Sequence, residues 1–153
     1  MAISLCLALG TCAAFQAQAQ VKTEKLQVLS AQAGLVGPPA GAALQFIPSA
    51  ELPLADGQEF GWRVTLKTTL KHVRVREELT LPAEPKTWGD PEPGVKRKTS
   101  ADGRTATTEW LLKPSSGVIQ STWTVTSGDP KGSWVLKLWI EDQPVQVLRL
   151  QAR

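Results

Sequence analysis

The segment Trp134-Val-Leu-Lys-Leu-Trp-Ile140 decides the fold class of this chain. Apolar residues recur in it with a period of two, at positions 134, 136, 138 and 140, which is the pattern of a strand with one face on a core. Turn residues at 128–132 precede the segment, and Pro144 follows it. A second apolar stretch at 145–150 comes next, so the sequence predicts a terminal β-hairpin.

Strand patterns of this kind recur along the chain, whereas a capped helical stripe is not found. Residues 60–66 and 73–79 alternate most clearly, and the short link between them predicts a second hairpin. Shorter strands are expected at 25–30, 44–47, 104–112 and 118–126, with loops at 31–43 and 86–103. About seven or eight short strands are typical of an antiparallel β-sandwich. The proline-interrupted segments at 48–58 and 82–93 favour that sandwich over a closed barrel, because they resemble crossovers between sheets.

The first nineteen residues differ in composition from the rest of the chain. Residues 1–19 carry no charge, are mostly apolar or small, and end in Ala17-Gln-Ala19, which is typical of signal-peptidase cleavage. The run is shorter than the ~20 apolar residues that a membrane helix needs, so export is favoured over anchoring. A leader normally opens with Lys or Arg and this one does not, so either the true start lies upstream or the leader is atypical. We expect a signal peptide at 1–19 and one β-sandwich domain at 20–153, without a transmembrane span in the mature form.

Both cysteines, Cys6 and Cys12, fall within this leader. Cleavage after Ala19 leaves neither a disulfide nor a thiol, so the domain must be held together by its core. Cys12 follows a weak lipoprotein box at 9–11, and its lipidation is an open alternative. The net charge of +3 favours anionic envelope components over nucleic acid as partners.

Residues suited to catalysis or metal binding are sparse in the predicted mature chain. His72 is the only histidine and is expected to be solvated. Because the predicted mature chain has no second histidine and no cysteine, neither a usual zinc site nor a Cys–His pair is expected. Asp90 and Glu92 lie in turn sequences, where the acidic residues are too few for a calcium site. Glu77 and Glu78 are adjacent and face opposite sides of a strand, so they do not form a glycosidase pair. We therefore expect no enzyme activity, no catalytic residue, no cofactor and no metal.

The predicted hairpin of 60–66 and 73–79 carries a basic face. With its apolar residues inward, the outer face would present His72 and the cations Arg63, Lys67, Arg74 and Arg76. Such a face suits an anionic partner, such as lipid headgroups, a cell-wall polymer or an acidic protein. The alternative is a solvated sheet face whose charge discourages pairing with another chain.

Six tryptophans and no tyrosine stand out in the composition. Trp62, Trp123 and Trp134 share faces with aliphatic residues and are expected in the core. Trp139 lies on the opposite face of its strand, and Trp88 lies beside a glycine in the predicted loop. An exposed Trp88 or Trp139 would stack on a sugar ring or anchor a protein interface. The alternative for Trp139 is that the 86–103 loop folds over it.

A series of motifs spans residues 44–150: Ile47-Pro48, Leu52-Pro53, Asp56-Gly-Gln-Glu-Phe-Gly-Trp-Arg-Val64, Leu81-Pro82 and Gly128-Asp-Pro-Lys-Gly-Ser-Trp-Val-Leu136. Their order resembles a group of small exported bacterial domains of unknown function with an immunoglobulin-like sandwich. The resemblance implies that fold and export. It implies no enzyme activity and supplies no functional residues.

The sequence therefore predicts an all-β, immunoglobulin-like antiparallel sandwich that is periplasmic or secreted. We expect a non-enzymatic accessory or interaction protein that binds a protein or another component of the cell envelope. The alternative is a carbohydrate-binding module that uses exposed tryptophans, with a glycan as the partner.

Overall fold

The computed structural model describes residues 22–23, 25–37 and 45–153. Eleven strands lie within them: β1 Lys22–Thr23, β2 Leu26–Gly37, β3 Gln45–Pro48, β4 Glu51–Leu52, β5 Glu59–Thr68, β6 Val73–Thr80, β7 Lys96–Thr99, β8 Thr105–Leu112, β9 Val118–Thr124, β10 Gly132–Ile140 and β11 Gln143–Ala152. Among these residues no helix has the length and hydropathy needed to span a bilayer. The predicted leader at 1–19, with both cysteines, lies outside the described residues.

The strands form two sheets. The five-stranded sheet has the order β1-β2-β5-β9, with β3 also paired to β2, and the six-stranded sheet has the order β4-β11-β10-β6-β8-β7. Strand β9 is therefore an edge of the first sheet, and β7 is an edge of the second. All pairs are antiparallel except β4 with β11, which is parallel. The predicted all-β sandwich is confirmed.

The core lies between the inner faces of the two sheets. The predicted terminal hairpin is confirmed, because β10 pairs with β11 and Trp134 lies opposite Leu150. Trp62 and Trp134, predicted to be core residues, are only 0% and 2% exposed. Phe60 packs edge-to-face on Trp134 with 5.2 Å between ring centroids, so the sheets interlock through aromatic side chains.

The predicted hairpin of residues 60–66 and 73–79 is wrong. Strand β5 pairs with β2 and β9, whereas β6 pairs with β8 and β10, so the link at 69–72 crosses from one sheet to the other. The alternation itself holds, since Trp62 and Val75 are both fully buried. Two strands that face each other across a core carry the same alternation as two paired strands, and the pattern does not tell them apart.

Two segments that were predicted to be loops contain strands. Residues 31–37 of the predicted 31–43 loop continue β2, and residues 38–44 lie outside the described part of the chain. A Cβ at Gly34 would lie 2.3 Å from the backbone oxygen of Ile47, so a glycine is needed where β2 and β3 approach each other closely. The predicted 86–103 loop contains β7, and its side chains Trp88, Val95 and Arg97 are partly buried.

Candidate functional site

A polar row crosses the inner face of the six-stranded sheet. Glu77 on β6 lies opposite Thr108 on β8, and Thr108 lies opposite Arg97 on β7. Glu77 and Thr108 are only 1% and 3% exposed. Glu77 occupies an inward position of the alternation, between Val75 and Leu79, so strand geometry alone places its carboxyl group in the core.

Two indole groups of the opposite sheet hold the Glu77 carboxyl group. Nε1 of Trp62 donates a hydrogen bond to Oε2, and Nε1 of Trp123 donates one to Oε1 at 2.7 Å. Burial raises the pKa of Glu77 to about 7, against the opposing effects of the Trp62 and Trp123 hydrogen bonds and of the Arg97 charge. The carboxyl group is therefore close to half-protonated at neutral pH.

The segment around β7 covers the outer side of Trp123. The guanidinium carbon of Arg97 lies 4.4 Å from the centroid of the Trp123 ring, and the Trp88 ring meets the same ring edge-to-face at 5.8 Å. Nη1 of Arg97 donates to the backbone oxygens of Trp88 and Gly89, at 2.8 Å and 3.3 Å. Nε1 of Trp88 donates to the oxygen of Gly103 at 2.8 Å. These contacts hold the segment against the sandwich.

A cavity of about 470 Å³ lies beside this polar row, between edge strand β9 and strands β7 and β8. Its inner wall includes Glu77, Thr108 and Arg97, and its aromatic walls include Trp88 and Trp110. Exposed residues that line it define the cavity mouth: Asp90, Glu92, Thr122 and Thr124. The volume falls within the range of roughly 300–1,000 Å³ that small-molecule sites occupy.

Two buried polar atoms at this cavity have no hydrogen-bond partner within the described residues. They are Oγ1 of Thr108 and Nε of Arg97, which belong to residues opposite each other on neighbouring strands. A buried polar group without a partner costs about 1–3 kcal/mol. Both atoms belong to residues that line the cavity, so a small movement of their side chains would bring them into contact with something that enters it.

The family model of the PM0630 beta sandwich domain matches residues 31–153, most of the chain. The chain belongs to this family. The match covers all the strands that build the cavity, from β5 to β10. No curated protein matches the chain.

Among solved structures, the chain resembles the immunoglobulin-like protein PA1606 of Pseudomonas aeruginosa. The TM-score is 0.54 at 16% identity, over 88% of this chain and 99% of that one. The likeness shows the fold alone, and it confirms the predicted immunoglobulin-like sandwich. The alkylpurine DNA glycosylase AlkC of Pseudomonas fluorescens, bound to abasic-site DNA, matches at a TM-score of 0.35 and 10% identity. That match covers 80% of this chain but only 30% of the glycosylase and is too weak to carry an argument.

The two tryptophans that were predicted to contact a partner lie apart in the structure. Trp88 lines the cavity. Trp139 lies on the outer face of β10, directly opposite Arg76 of β6, whose guanidinium carbon lies 4.2 Å from the centroid of its ring. The 86–103 segment places Trp88 and Arg97 on Trp123, so the structure shows that segment covering a different tryptophan from the expected one.

The four basic residues predicted to form one patch are divided between the two sheets, because β5 and β6 are not paired. Arg63 and Lys67 lie on the five-stranded sheet, and Arg74 and Arg76 lie on the six-stranded sheet. Arg63 contacts the Phe46 ring at 4.8 Å and bonds the Gln120 side chain. Arg74 forms an exposed ion pair with Asp142 at 2.7 Å, and Arg76 covers Trp139. The single basic face expected from the sequence is therefore not assembled.

Glu77, Thr108 and Arg97 were not among the site residues predicted from the sequence. Glu77 carried a signal, since a carboxylate at an inward position of a strand must find hydrogen-bond donors. Thr108 and Arg97 carried none, because their position depends on the pairing of β7 with β8. Within the part of the chain that the structure describes, no cluster of His, Cys, Asp and Glu could hold a metal ion.

Proposed function

We propose that this protein is an exported, non-enzymatic binding domain that receives a component of the cell envelope at the cavity between its two sheets. The observation that carries the proposal is the pair of unpartnered buried atoms, Thr108 Oγ1 and Arg97 Nε, in the wall of a cavity of about 470 Å³. A stable core pairs its buried polar groups, so an exception beside a cavity supports a contact with something that enters it, whether water or a ligand.

Binding is favoured over catalysis by the way in which Glu77 is held. Both of its oxygens accept indole N–H groups, so the carboxyl group is fixed as an acceptor rather than presented to a reacting group. A general acid or base would have to reach a substrate proton, and Trp123 and Arg97 lie over the outer side of this group.

Export rests on the composition of residues 1–19. The apolar, uncharged run ends at Ala17-Gln-Ala19, and cleavage there would place Gln20 at the mature N-terminus in the periplasm or outside the cell. Fractionation of cells that produce the C-terminally tagged chain tests this step. A processed chain in the periplasm or the medium is expected, and an unprocessed chain in the cytosol contradicts export.

Site-specific photo-crosslinking tests the binding surface. A benzophenone amino acid replaces Glu92 at the cavity mouth in one variant, and Val147, which is 50% exposed on β11, in a matched control. We expect an envelope adduct from position 92 and none from position 147. Equal adducts from both positions, or none from position 92, contradict a partner at the cavity.

A glycan module that uses Trp88 and Trp139 as one platform gains no support, because these residues lie on different sides of the six-stranded sheet. Of these two tryptophans, only Trp88 lines the cavity and could contact a ligand there. Glycan recognition therefore depends on whether the cavity itself suits a sugar.

A further inference from the structure

We propose that the cavity binds one uncharged, hydroxyl-rich ring, such as a pyranose unit of an envelope glycan. This inference rests on the proposed binding function and specifies the chemical class of its ligand. The residues that recognise the ring are Thr108 and Arg97 through hydrogen bonds, and Trp88 and Trp110 through their indole faces.

The inner charges of the cavity favour an uncharged ligand. Glu77 and Arg97 lie in the same wall and have opposite charges, and Arg97 also interacts with Asp90 at the mouth. An anion would meet Glu77, Asp90 and Glu92, whereas a cation that reached the inner wall would meet Arg97. Each ion would therefore meet a like charge in the cavity, whereas a neutral ligand would meet none.

The unpartnered atoms match a hydroxyl group. Nε–H of Arg97 can only donate, and the Thr108 hydroxyl can both donate and accept. The two residues lie opposite each other on β7 and β8, so a ligand hydroxyl that comes between their side chains would accept from Arg97 and either donate to Thr108 or accept from it. A ring that carries several hydroxyls then has others left for the polar residues of the cavity mouth.

The aromatic walls match the apolar faces of a sugar ring. Trp110 is held from behind by Trp62, with ring centroids 6.2 Å apart, and Trp88 is fixed by its bond to Gly103. Both indoles are therefore oriented before a ligand enters, which reduces the entropy cost of binding. Rigid aromatic surface beside hydrogen-bonding groups suits a ligand that is apolar on its faces and polar at its edge.

Indole N–H signals of the purified chain, recorded by NMR during titration with methyl β-glucoside and with methyl N-acetyl-β-glucosaminide, test the inference. We expect at least one of these probes to shift the Trp88 and Trp110 signals saturably and to leave the Trp139 signal in place. Methylammonium chloride and sodium acetate serve as the cationic and anionic probes. Saturable shifts with a charged probe and none with either glycoside overturn the inference.

Thr108→Val separates recognition from folding, because it removes a hydroxyl that has no partner in the described fold and keeps the shape of the side chain. We expect glycoside affinity to fall about tenfold, with the free energy of unfolding unchanged or higher. Thr107→Val, on the outer face of the same strand, should leave affinity unchanged. Equal affinity in both variants overturns the assigned role of Thr108.

A wild-type chain that binds neither glycoside, together with a more stable Thr108→Val variant, shows that the cavity takes up water only and overturns the inference. That result is distinguishable from failure of the proposed function. If position 92 crosslinks to an envelope component and no glycoside binds, the proposed envelope partner is supported and the proposed sugar ligand is rejected. If a glycoside binds and position 92 does not crosslink, the cavity is supported as a sugar site and the proposed envelope partner at its mouth is rejected.

Discussion

Nε1 of Trp123 lies 2.7 Å from Oε1 of Glu77, so a tryptophan on the edge strand of one sheet bonds a buried carboxyl group on the other. Trp62, on the neighbouring strand β5, donates to the second oxygen. Hydrogen bonds to a charged group contribute about 1.5–3 kcal/mol each, which partly offsets the cost of burying the carboxylate. This clamp ties the two sheets together beside the cavity.

Stability should fall as the pH rises through the titration range of Glu77. Its pKa is raised from 4.5 to about 7 in the folded protein, so between these values the folded state keeps a proton that the unfolded state has lost. The contribution of Glu77 is fully present below pH 4.5 and is lost as the pH passes through about 7. The free energy of unfolding should be roughly 3 kcal/mol lower at pH 8 than at pH 4.5 from this group alone.

Urea unfolding of the wild type, Glu77→Gln and Glu78→Gln at several pH values measures this effect. Glu77→Gln should flatten the slope between pH 5 and 8, because the titrating group is gone. Glu78 lies next in sequence but on the outer face, so Glu78→Gln should keep the wild-type slope. Identical slopes for the wild type and Glu77→Gln would show that Glu77 does not carry the pH dependence.

Trp123→Phe should destabilise the protein more at pH 8 than at pH 5. The substitution removes the indole donor from Glu77, and a hydrogen bond to an ionised carboxylate is stronger than one to a neutral acid. We expect the loss in the free energy of unfolding to be about 1 kcal/mol larger at pH 8. Trp139→Phe is the control, because it removes the same atoms from an indole that, within the described residues, does not bond a carboxyl group. The decrease that it causes in the free energy of unfolding, measured by urea unfolding, should not depend on pH in this range. A pH-independent loss for Trp123→Phe argues against the bond.

Gly61→Ala should lower the free energy of unfolding by about 3 kcal/mol. A Cβ at Gly61 would lie 2.0 Å from the backbone oxygen of Ser121, so β9 would have to move away from β5. Gly37→Ala is the matched control, because its Cβ would meet the flexible tip of Ile47 at 3.2 Å, and a change below about 1 kcal/mol is expected there. Thermal and urea unfolding compare the two variants, and equal losses would contradict a role for close approach at Gly61.

Trp139 and Arg76 should show an interaction energy of about 0.5–1 kcal/mol in a double-mutant cycle. The guanidinium carbon of Arg76 lies 4.2 Å from the centroid of the Trp139 ring, and the residues are opposite each other on β10 and β6. Urea unfolding of Trp139→Ala, Arg76→Ala and the double variant measures this energy, and strictly additive losses contradict it. None of the three should change crosslinking from position 92, because Trp139 faces away from the cavity.

Much of the fold could be predicted from local patterns. The terminal hairpin, the inward face of β6 and the burial of Trp62 and Trp134 all follow from alternation along single strands. The prediction was wrong where it needed the identity of a neighbour. Strands β5 and β6 looked paired because they are adjacent in sequence, yet each pairs with other strands. The predicted basic patch required β5 and β6 to be paired, so that prediction was wrong as well.

The site was less predictable than the fold. Glu77 could have been identified from its inward position alone, since a buried carboxyl group needs donors. Its donors come from the other sheet, and Arg97 comes from a segment that carried turn signals rather than a strand pattern. Trp88 was predicted to contact a partner and lies at the cavity, but the residues around it are distant in sequence.

By itself the sequence determined which side chains of each strand face inward, because the pleat sends successive side chains to opposite faces whatever the strand pairs with. The tertiary structure alone decided which strands are neighbours, since the same alternation suits either sheet of a sandwich. It also decided that Glu77, Thr108 and Arg97 share a wall with the indoles of the opposite sheet. Contacts between residues far apart in the chain depend on sheet order and packing, and the local periodicity of a strand predicts neither.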